Sequence, residues 1–528
     1  MSEQALAAVC SKMGIALAAG GRVDVNQLIG LISGKADEII ALNLQLSMEA
    51  KQNGAVVADI LKEASAAIQV GDLDQAHRLL HQARNAAQGM IENAQRRAAD
   101  IDATDAGVLA AQGDFVGAAS EYAEAAGELP ATDAKARWKY VMQQASVLER
   151  RGELFEEPQS LRGAVALFRD TALVLAPRDS DPQDWATTQT KLGDTLAVLG
   201  EQGDDQAVRD AVAAQRAALT VDSPDRNPDE WAEAQTGLGN ALMLLGRMGD
   251  DQALHDSVTA IRAALAVRTS DAAARARAET DLGNALEELG ERGDAAALSD
   301  SVVAYRAALA VLTRESDPTE WVAVQNDLGN ALEELGESTG VQDLRESVAA
   351  YRAALEVVTR DRDPHGWAVT EANFGLALKA LGERGDGRAL EQAVAADRAA
   401  LEVLTRDRAP AYWAEEEINL GAALTALGER GDAQALNEAV TALRAALEVL
   451  TRDRAAADWA EAQTDLGDAL EALGKAGDSQ ALRDAVGCYK LALEVYTPQA
   501  FPAQAKETSE RLAKATALLD RPHPGTAP

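Results

Sequence analysis

The stretch LGNALEELGERGD, residues 282–294, decides the fold of this chain because versions of it recur along the sequence. Related phrases begin at residues 192, 238, 328, 374, 420 and 466. The glycine of each phrase follows the previous one by 46 residues, except for one step of 44. A fixed period of this kind is typical of repeat architectures, in which each unit packs on its neighbours.

Each period contains two patterns of amphipathic helices. Apolar residues recur at spacings of three and four from Trp321 to about Leu335, and this pattern predicts a first helix that ends at Gly336. A second helix is predicted over 344–359, with Arg352 and Glu356 as an i,i+4 ion pair. Neither helix can bury its apolar stripe alone, so we expect helical hairpins that stack into a continuous core.

The hairpins carry a recognisable motif. In one period, Leu328-Gly329 is followed by Tyr351 and Ala354, and Pro364 closes the repeat. This pattern resembles the tetratricopeptide repeat (TPR), in a longer form that is similar to the repeats of kinesin light chains and of bacterial signalling proteins. The resemblance implies an all-α fold, a right-handed α-solenoid (superhelix) of about ten TPR-like helical hairpins.

The repeat pattern also predicts how the chain is organised. We expect a helical N-terminal segment over 1–56, two TPRs of ordinary length over 57–132, eight extended TPR-like hairpins over 133–497, a C-terminal capping helix over 498–520 and a disordered tail over 521–528. The polar character of the last helix is what a solenoid requires at its end.

Composition limits the partners that the chain can attract. The 528 residues carry a formal net charge of −35, which repels nucleic acids and anionic membrane surfaces and favours a basic partner. The two cysteines, Cys10 and Cys488, are too few for a disulfide framework, and the chain shows neither a basic signal sequence nor an apolar run long enough to span a membrane. We therefore expect a cytoplasmic protein of bacterial type.

Chemical motifs are scarce. We find no phosphate-binding glycine loop, no nucleophile elbow and no zinc-protease motif, so we predict no enzymatic activity and no cofactor. His77 and His81 lie four residues apart and would share one helix face. A metal site needs further ligands, and the sequence places no third one, so we predict no metal.

The TPR resemblance implies where a ligand would lie. In that family the first helix of each hairpin lines the concave face, and positions around each L-G pair line the groove. These positions are rich in carboxylates and asparagines, and the predicted groove residues are Asp281, Asn284, Glu287, Glu288, Asn326, Asp327, Asn330, Glu333, Glu334, Asn373 and Asn419. Asparagines can hold a peptide backbone and carboxylates select Lys or Arg. The alternative is that these residues form ordinary solvated helix faces.

One period departs from the others. Arg275 stands where the other six phrases are preceded by tryptophan, and we interpret this change as drift or as a hinge. The sequence as a whole predicts a non-enzymatic scaffold or adaptor that binds a peptide or protein segment. The alternatives are a regulatory or sensor subunit of a bacterial signalling or defence complex, with an effector bound through the N-terminal segment, and a self-assembling scaffold.

Overall fold

The computed structural model describes residues 55–87, 93–267 and 271–520, together with separate helical positions between 38 and 48. All regular elements within these residues are helical. The chain divides into two compact units, Met1–Gly293 and Asp294–Pro528. The predicted tail lies outside the described residues, as does almost all of the predicted N-terminal segment. No described helix combines the length and apolar character that crossing a membrane requires.

From residue 55 onward, the described part of the first unit contains twelve helices. They are α1 (Ala55–Gln69), α2 (Leu73–Ala87), α3 (Asn93–Gln112), α4 (Phe115–Glu128), α5 (Ala134–Leu154), α6 (Pro158–Leu167), α7 (Leu173–Leu175), α8 (Pro182–Glu201), α9 (Asp205–Ala218), α10 (Pro228–Arg247), α11 (Asp251–Ala266) and α12 (Ala272–Glu291). A π-helical turn, Phe168–Ala172, joins α6 to α7.

The second unit contains ten helices in its described part. They are α13 (Ala295–Leu309), α14 (Pro318–Thr339), α15 (Val341–Leu355), α16 (Pro364–Glu383), α17 (Gly387–Leu401), α18 (Pro410–Glu429), α19 (Ala433–Leu447), α20 (Ala456–Lys475), α21 (Ser479–Ala492) and α22 (Pro502–Leu519).

Successive helices pair into antiparallel hairpins with a TPR-like arrangement. Within each unit, the first helices of neighbouring hairpins also pack against each other. We call the surface that they share within a unit its first-helix face: α8, α10 and α12 form that of the first unit, and α14, α16, α18 and α20 form that of the second. Because these helices lie side by side within a unit, equivalent exposed side chains of successive repeats form rows on this surface.

Local signals explain where a typical hairpin begins and ends. Helix α14 starts at Pro318, whose missing N–H costs nothing at this position, and Asp317 Oδ1 accepts a hydrogen bond from the Glu320 amide at 3.0 Å. The predicted stop at Gly336 is wrong, because the helix continues to Thr339 and Gly340 takes the positive φ of 125°. Gly336 instead allows close packing, since a Cβ there would lie 2.7 Å from the Leu344 side chain.

The glycine of the L-G pair has the packing role that its repetition suggested. A Cβ on Gly329 would lie 2.6 Å from the Tyr351 ring, and one on Gly467 would lie 2.5 Å from the Tyr489 ring. Both tyrosines are fully buried. The absence of a side chain at these positions is what lets the second helix place a large aromatic ring against the first.

Arginine–glutamate pairs join neighbouring hairpins in the second unit. The expected pair of Arg352 with Glu356 is replaced by one between Arg314 Nη1 and Glu356 Oε2, at 2.6 Å. The same spacing of 42 residues recurs in three further pairs, Arg360–Glu402, Arg406–Glu448 and Arg452–Glu494. Arg314, Arg360 and Arg406 also lie over the rings of Trp321, Trp367 and Trp413. We call each such Arg–Glu pair a rung.

Candidate ligand-binding face

The predicted groove residues are divided between the two units, and all of them lie on first helices. Helix α12 carries Asp281, Asn284, Glu287 and Glu288, while the others lie on α14, α16 and α18. All have intermediate exposure. Each unit therefore has its own part of the predicted site, and we describe the two parts separately.

A cavity of about 640 Å³ opens in the first unit. Its charged lining consists of six carboxylates and two guanidinium groups, from Asp194, Asp229, Glu230, Glu233, Asp271, Asp281, Arg275 and Arg277. Of the predicted groove residues, Asp281 lines this cavity. The cavity size is in the range of ligand sites, about 300–1,000 Å³, and the excess of carboxylates suits a cationic ligand.

Arg275 lines this cavity, in the position that tryptophan takes in the other six repeats. In the second unit the equivalent Trp321 is 7% exposed and fills the junction between hairpins. The Arg275 side chain is 50% exposed, and its Nη2 lies 3.5 Å from Glu279 Oε1 on the same helix. The half-exposed guanidinium lines the cavity and contacts Glu279, whereas the ring of Trp321 is buried.

Lys191, next to the cavity, forms ion pairs with two of the carboxylates that line it. Lys191 Nζ lies 2.8 Å from Glu233 Oε1 and 3.5 Å from Asp194 Oδ2. Burial opposes the charge of Lys191, but the two carboxylates raise its pKa above the ordinary value. Burial also raises the pKa of Asp194 to about 6, although Lys191 acts in the opposite direction.

Amide groups near the cavity keep unused hydrogen-bonding capacity. Asn240 Nδ2 donates to Asp281 Oδ2 at 3.1 Å, whereas the buried Asn240 Oδ1 has no hydrogen-bond partner among the described residues. On the same face Arg247 pairs with Glu288. The Asn240 oxygen is enclosed, so the acceptors that the cavity presents are mainly its carboxylates.

In the second unit, Asp327 and Glu333 on α14 are carboxylates in a partly desolvated setting. Burial raises the pKa of Asp327 to about 6. Burial also raises the pKa of Glu333 to about 7, with Glu337 acting in the same direction and Lys379 against it. No cation from the described helices forms an ion pair with Asp327. A bound cation would stabilise the ionised form of both groups.

The predicted asparagines are partly occupied by internal hydrogen bonds. Asn330 Oδ1 accepts from Tyr351 Oη at 2.5 Å and from Asn373 Nδ2 at 3.5 Å. Asn326 Nδ2 donates to Thr370 Oγ1 at 3.2 Å, and Asn419 Nδ2 donates to Glu416 Oε2 at 3.3 Å. Asn326 Oδ1 is buried without a partner in the described part of the chain. Asn330 and Asn373 are thus bonded to each other, whereas Asn326 and Asn419 bond to Thr370 and Glu416.

The last repeat shows the acidic positions filled by cations of the chain itself. Arg511 Nε on α22 lies 3.1 Å from Asp468 Oδ2, and Lys514 Nζ lies 3.3 Å from Glu471 Oε1. Glu471 follows its L-G leucine by five residues, as Glu333 does in its own repeat. This contact could not be predicted from the sequence, although the basic residues of α22 stand there at helical spacing.

One cysteine can be assessed directly. Cys488 is 9% exposed and lies in the core of the second unit. Burial raises the pKa of its thiol to about 11. The thiol therefore stays protonated near neutral pH, and packing accounts for this residue better than nucleophilic chemistry does.

No protein-family profile matches the chain, and no curated protein matches it either. Solved structures with which it shares a likeness include the human IFIT1 dimer with PPP-AAAA, at 13% identity and a TM-score of 0.37, covering 98% of this chain and 100% of that one. Yeast Tom70 aligns at 12% identity and a TM-score of 0.35, covering 98% and 96%. A Rap protein complexed with competence and sporulation factor aligns at 13% identity and a TM-score of 0.30, covering 88% and 99%. These TM-scores are too low to carry an argument about this chain.

Proposed function

We propose that this chain is a non-enzymatic interaction scaffold that binds basic protein segments on its first-helix faces. The cavity beside Arg275 carries this proposal, because six carboxylates and only two guanidinium groups line it. A lysine or arginine side chain would add charge-assisted hydrogen bonds to carboxylates of this lining. The other predicted groove residues extend the proposal to α14, α16 and α18, where Asp327 and Glu333 would receive further cations.

Contacts within the chain support a basic ligand in particular. Lys191 pairs with Asp194 and Glu233, and Arg511 and Lys514 pair with Asp468 and Glu471. In each case a basic side chain of a first helix or of α22 forms an ion pair with a carboxylate on a first helix. A ligand with Lys or Arg at suitable spacing would repeat these contacts where the chain supplies no such cation.

Binding of mixed-sequence peptide libraries tests the proposal. Fluorescent peptides with fixed lysines and arginines should bind the full chain, and the same peptides with acetylated lysines should bind less tightly. Neutralising variants keep the side-chain shape: Glu230→Gln with Glu233→Gln and Asp281→Asn for the first unit, and Asp327→Asn with Glu333→Gln and Glu334→Gln for the second. Each set should weaken binding by about tenfold or more, since a charge-assisted hydrogen bond contributes about 1.5–3 kcal/mol.

The matched control neutralises exposed carboxylates on second helices, Asp256→Asn on α11 with Glu391→Gln on α17. This variant should bind as the wild type does. The proposal fails if basic and acetylated libraries bind equally, or if the control lowers affinity as much as the groove variants do. Retained affinity in one set alone would confine the site to the other unit.

A further inference from the structure

Two imidazoles converge on one carboxylate in the first two hairpins. His77 Nδ1 lies 2.5 Å from Asp105 Oδ1, and His81 Nε2 lies 2.9 Å from Asp105 Oδ2. The histidines stand one turn apart on α2, and Asp105 comes from the middle of α3. A carboxylate on α4, Glu121, places its Oε1 3.9 Å from His81 Nε2. Three helices thus bring nitrogen and oxygen ligands to one point.

The central carboxylate is buried and incompletely satisfied. Asp105 is 2% exposed, and its Oδ2 has no hydrogen-bond partner among the described residues despite the nearby His81 nitrogen. Without an ion, each imidazole must carry its hydrogen on the nitrogen that faces Asp105 in order to donate. In a metal complex the same nitrogens present lone pairs, and both Asp105 oxygens gain a cation.

The ionisable groups around Asp105 are mainly carboxyl groups. Arg84 Nη1 lies 3.6 Å from Asp102 Oδ1, 3.6 Å from Glu121 Oε2 and 3.4 Å from Glu124 Oε2. One guanidinium is therefore shared by three carboxylates, and Asp102 is itself 1% exposed. Buried carboxylates require compensation. A divalent cation at Asp105 would supply the positive charge that this cluster lacks.

We propose that His77, His81 and Asp105 bind a divalent transition-metal ion of the Zn²⁺ class, with Glu121 as the fourth ligand. One ligand atom from each of the first three lies within 4.8 Å of the others. Metal–ligand bonds of about 2.0–2.2 Å place neighbouring tetrahedral ligands about 3.4 Å apart, so small side-chain movements complete the site. A movement of the Glu121 side chain would bring Oε1, now 3.9 Å from His81 Nε2, to the ion, while Oε2 faces Arg84.

The ligand set also indicates which ions fit. Two imidazole nitrogens favour zinc, cobalt or nickel, whereas magnesium and calcium prefer oxygen ligands alone. The histidine side chains are 31% and 33% exposed, which leaves a path for the ion from solvent. Bound metal would tie α2, α3 and α4 together, and it would therefore stabilise the first two hairpins.

The test uses the full, tag-free chain, dialysed against chelator and then titrated with Zn²⁺ or Co²⁺ in the presence of millimolar Mg²⁺. We expect one tightly bound Zn²⁺ per chain, an increase in the thermal midpoint, and the visible absorption bands of tetrahedral Co²⁺. His77→Ala with His81→Ala should abolish all three. Asp105→Asn, which keeps the shape of the side chain, should weaken Zn²⁺ binding at least tenfold and change the Co²⁺ spectrum.

The control replaces exposed histidines on other helices, His255→Ala and His365→Ala, and should bind Zn²⁺ as the wild type does. If the double histidine variant fails to fold, His77→Ala alone and Asp105→Asn decide the question. The proposal is overturned if the wild type binds no Zn²⁺ above the Mg²⁺ background. It is also overturned if Asp105→Asn and the histidine variants keep the wild-type stoichiometry and spectrum, in which case the cluster is a hydrogen-bonded His–Asp–His group.

Discussion

Asp397 occupies a core position at which the neighbouring hairpins place Tyr351 and Leu443. It is 1% exposed, its Oδ1 has no partner in the described part of the chain, and it packs on Gly375. Burial and the nearby Glu416 raise its pKa well above the ordinary value. The position therefore carries a buried acid where its neighbours carry an aromatic or apolar group.

Replacing this acid should stabilise the fold. We expect Asp397→Leu to raise the free energy of unfolding by about 1–3 kcal/mol, because it removes a buried, incompletely bonded polar group and copies the Leu443 contact of the next hairpin. Urea denaturation measures the change. Leu443→Asp is the reciprocal control and should destabilise the protein. A lower stability for Asp397→Leu would show that the carboxyl has a favourable partner.

Glu416 should make stability fall as the pH rises. Burial raises its pKa to about 8 in the folded protein, and burial also raises the pKa of Asp465 to about 7. A raised folded pKa means that the native state binds the proton more tightly than the unfolded chain does. The contribution of Glu416 to the free energy of unfolding is therefore fully present below its ordinary pKa of 4.5. This contribution is lost as the pH increases through the pKa of about 8 that Glu416 has in the folded protein.

The urea midpoint should accordingly be higher at pH 5.5 than at pH 8.5. Glu416→Gln should flatten this dependence, because the amide cannot titrate. Glu391→Gln, an exposed change on α17, should leave it as in the wild type. A midpoint that increases between these two pH values would contradict the argument.

At the scale of the element, three of the loop arginines that join hairpins contact both a glutamate and a tryptophan ring. Arg406 lies 5.5 Å from the Trp413 ring centroid and its Nη1 lies 2.8 Å from Glu448 Oε2. We expect Arg406→Ala to cost about 1 kcal/mol in thermal or urea unfolding, the combined size of an exposed cation–π contact and a surface ion pair. Arg408→Ala, an exposed change in the same loop, should cost less than about 0.5 kcal/mol. An equal loss of stability in Arg406→Ala and Arg408→Ala would show that the contacts of Arg406 do not stabilise the junction between hairpins.

Sequence periodicity predicted the helical hairpins well but not their ends or their partners. Helix α14 begins at Pro318 rather than Trp321, because Asp317 caps it and Pro318 suits its first turn. The helix continues to Thr339, because Gly336 allows close contact with Leu344 and does not end the helix. Arg314 rather than Arg352 pairs with Glu356, since stacking brings the loop of one hairpin onto the next. Such contacts depend on the angle between neighbouring hairpins, and the spacing of residues within one helix does not predict that angle.

The candidate sites show the same limit. The excess of carboxylates on first helices was visible in the sequence, and so was the missing tryptophan at Arg275, but the cavity that Arg275 lines depends on how α10 and α12 pack. His77 and His81 were visible as a pair. Asp105 lies on the next helix and belongs to no motif, so only the packing of α2 on α3 brings it to them.

For the whole molecule, the net charge of −35 should make salt stabilising. Raising NaCl from about 0.1 M to about 1 M shortens the Debye length from about 10 Å to about 3 Å, which screens repulsion among the carboxylates. The exposed rungs lose some attraction under the same conditions, but each is weak. We expect the thermal midpoint to increase with NaCl. A decrease would mean that ion pairs outweigh repulsion.

The rungs of the second unit have a consequence for the length of the array. Each rung joins a hairpin only to the following one, and the step between hairpins is constant there. Deleting residues 364–409 would bring Arg360 to the place of Arg406, over Trp413 and opposite Glu448. We expect this shortened chain to fold, with a cooperative thermal transition and unchanged helix content per residue by circular dichroism. A deletion two residues longer should lose both contacts at the junction. Natural gain or loss of whole repeats could then change how long a partner segment the protein spans without any need to redesign its core.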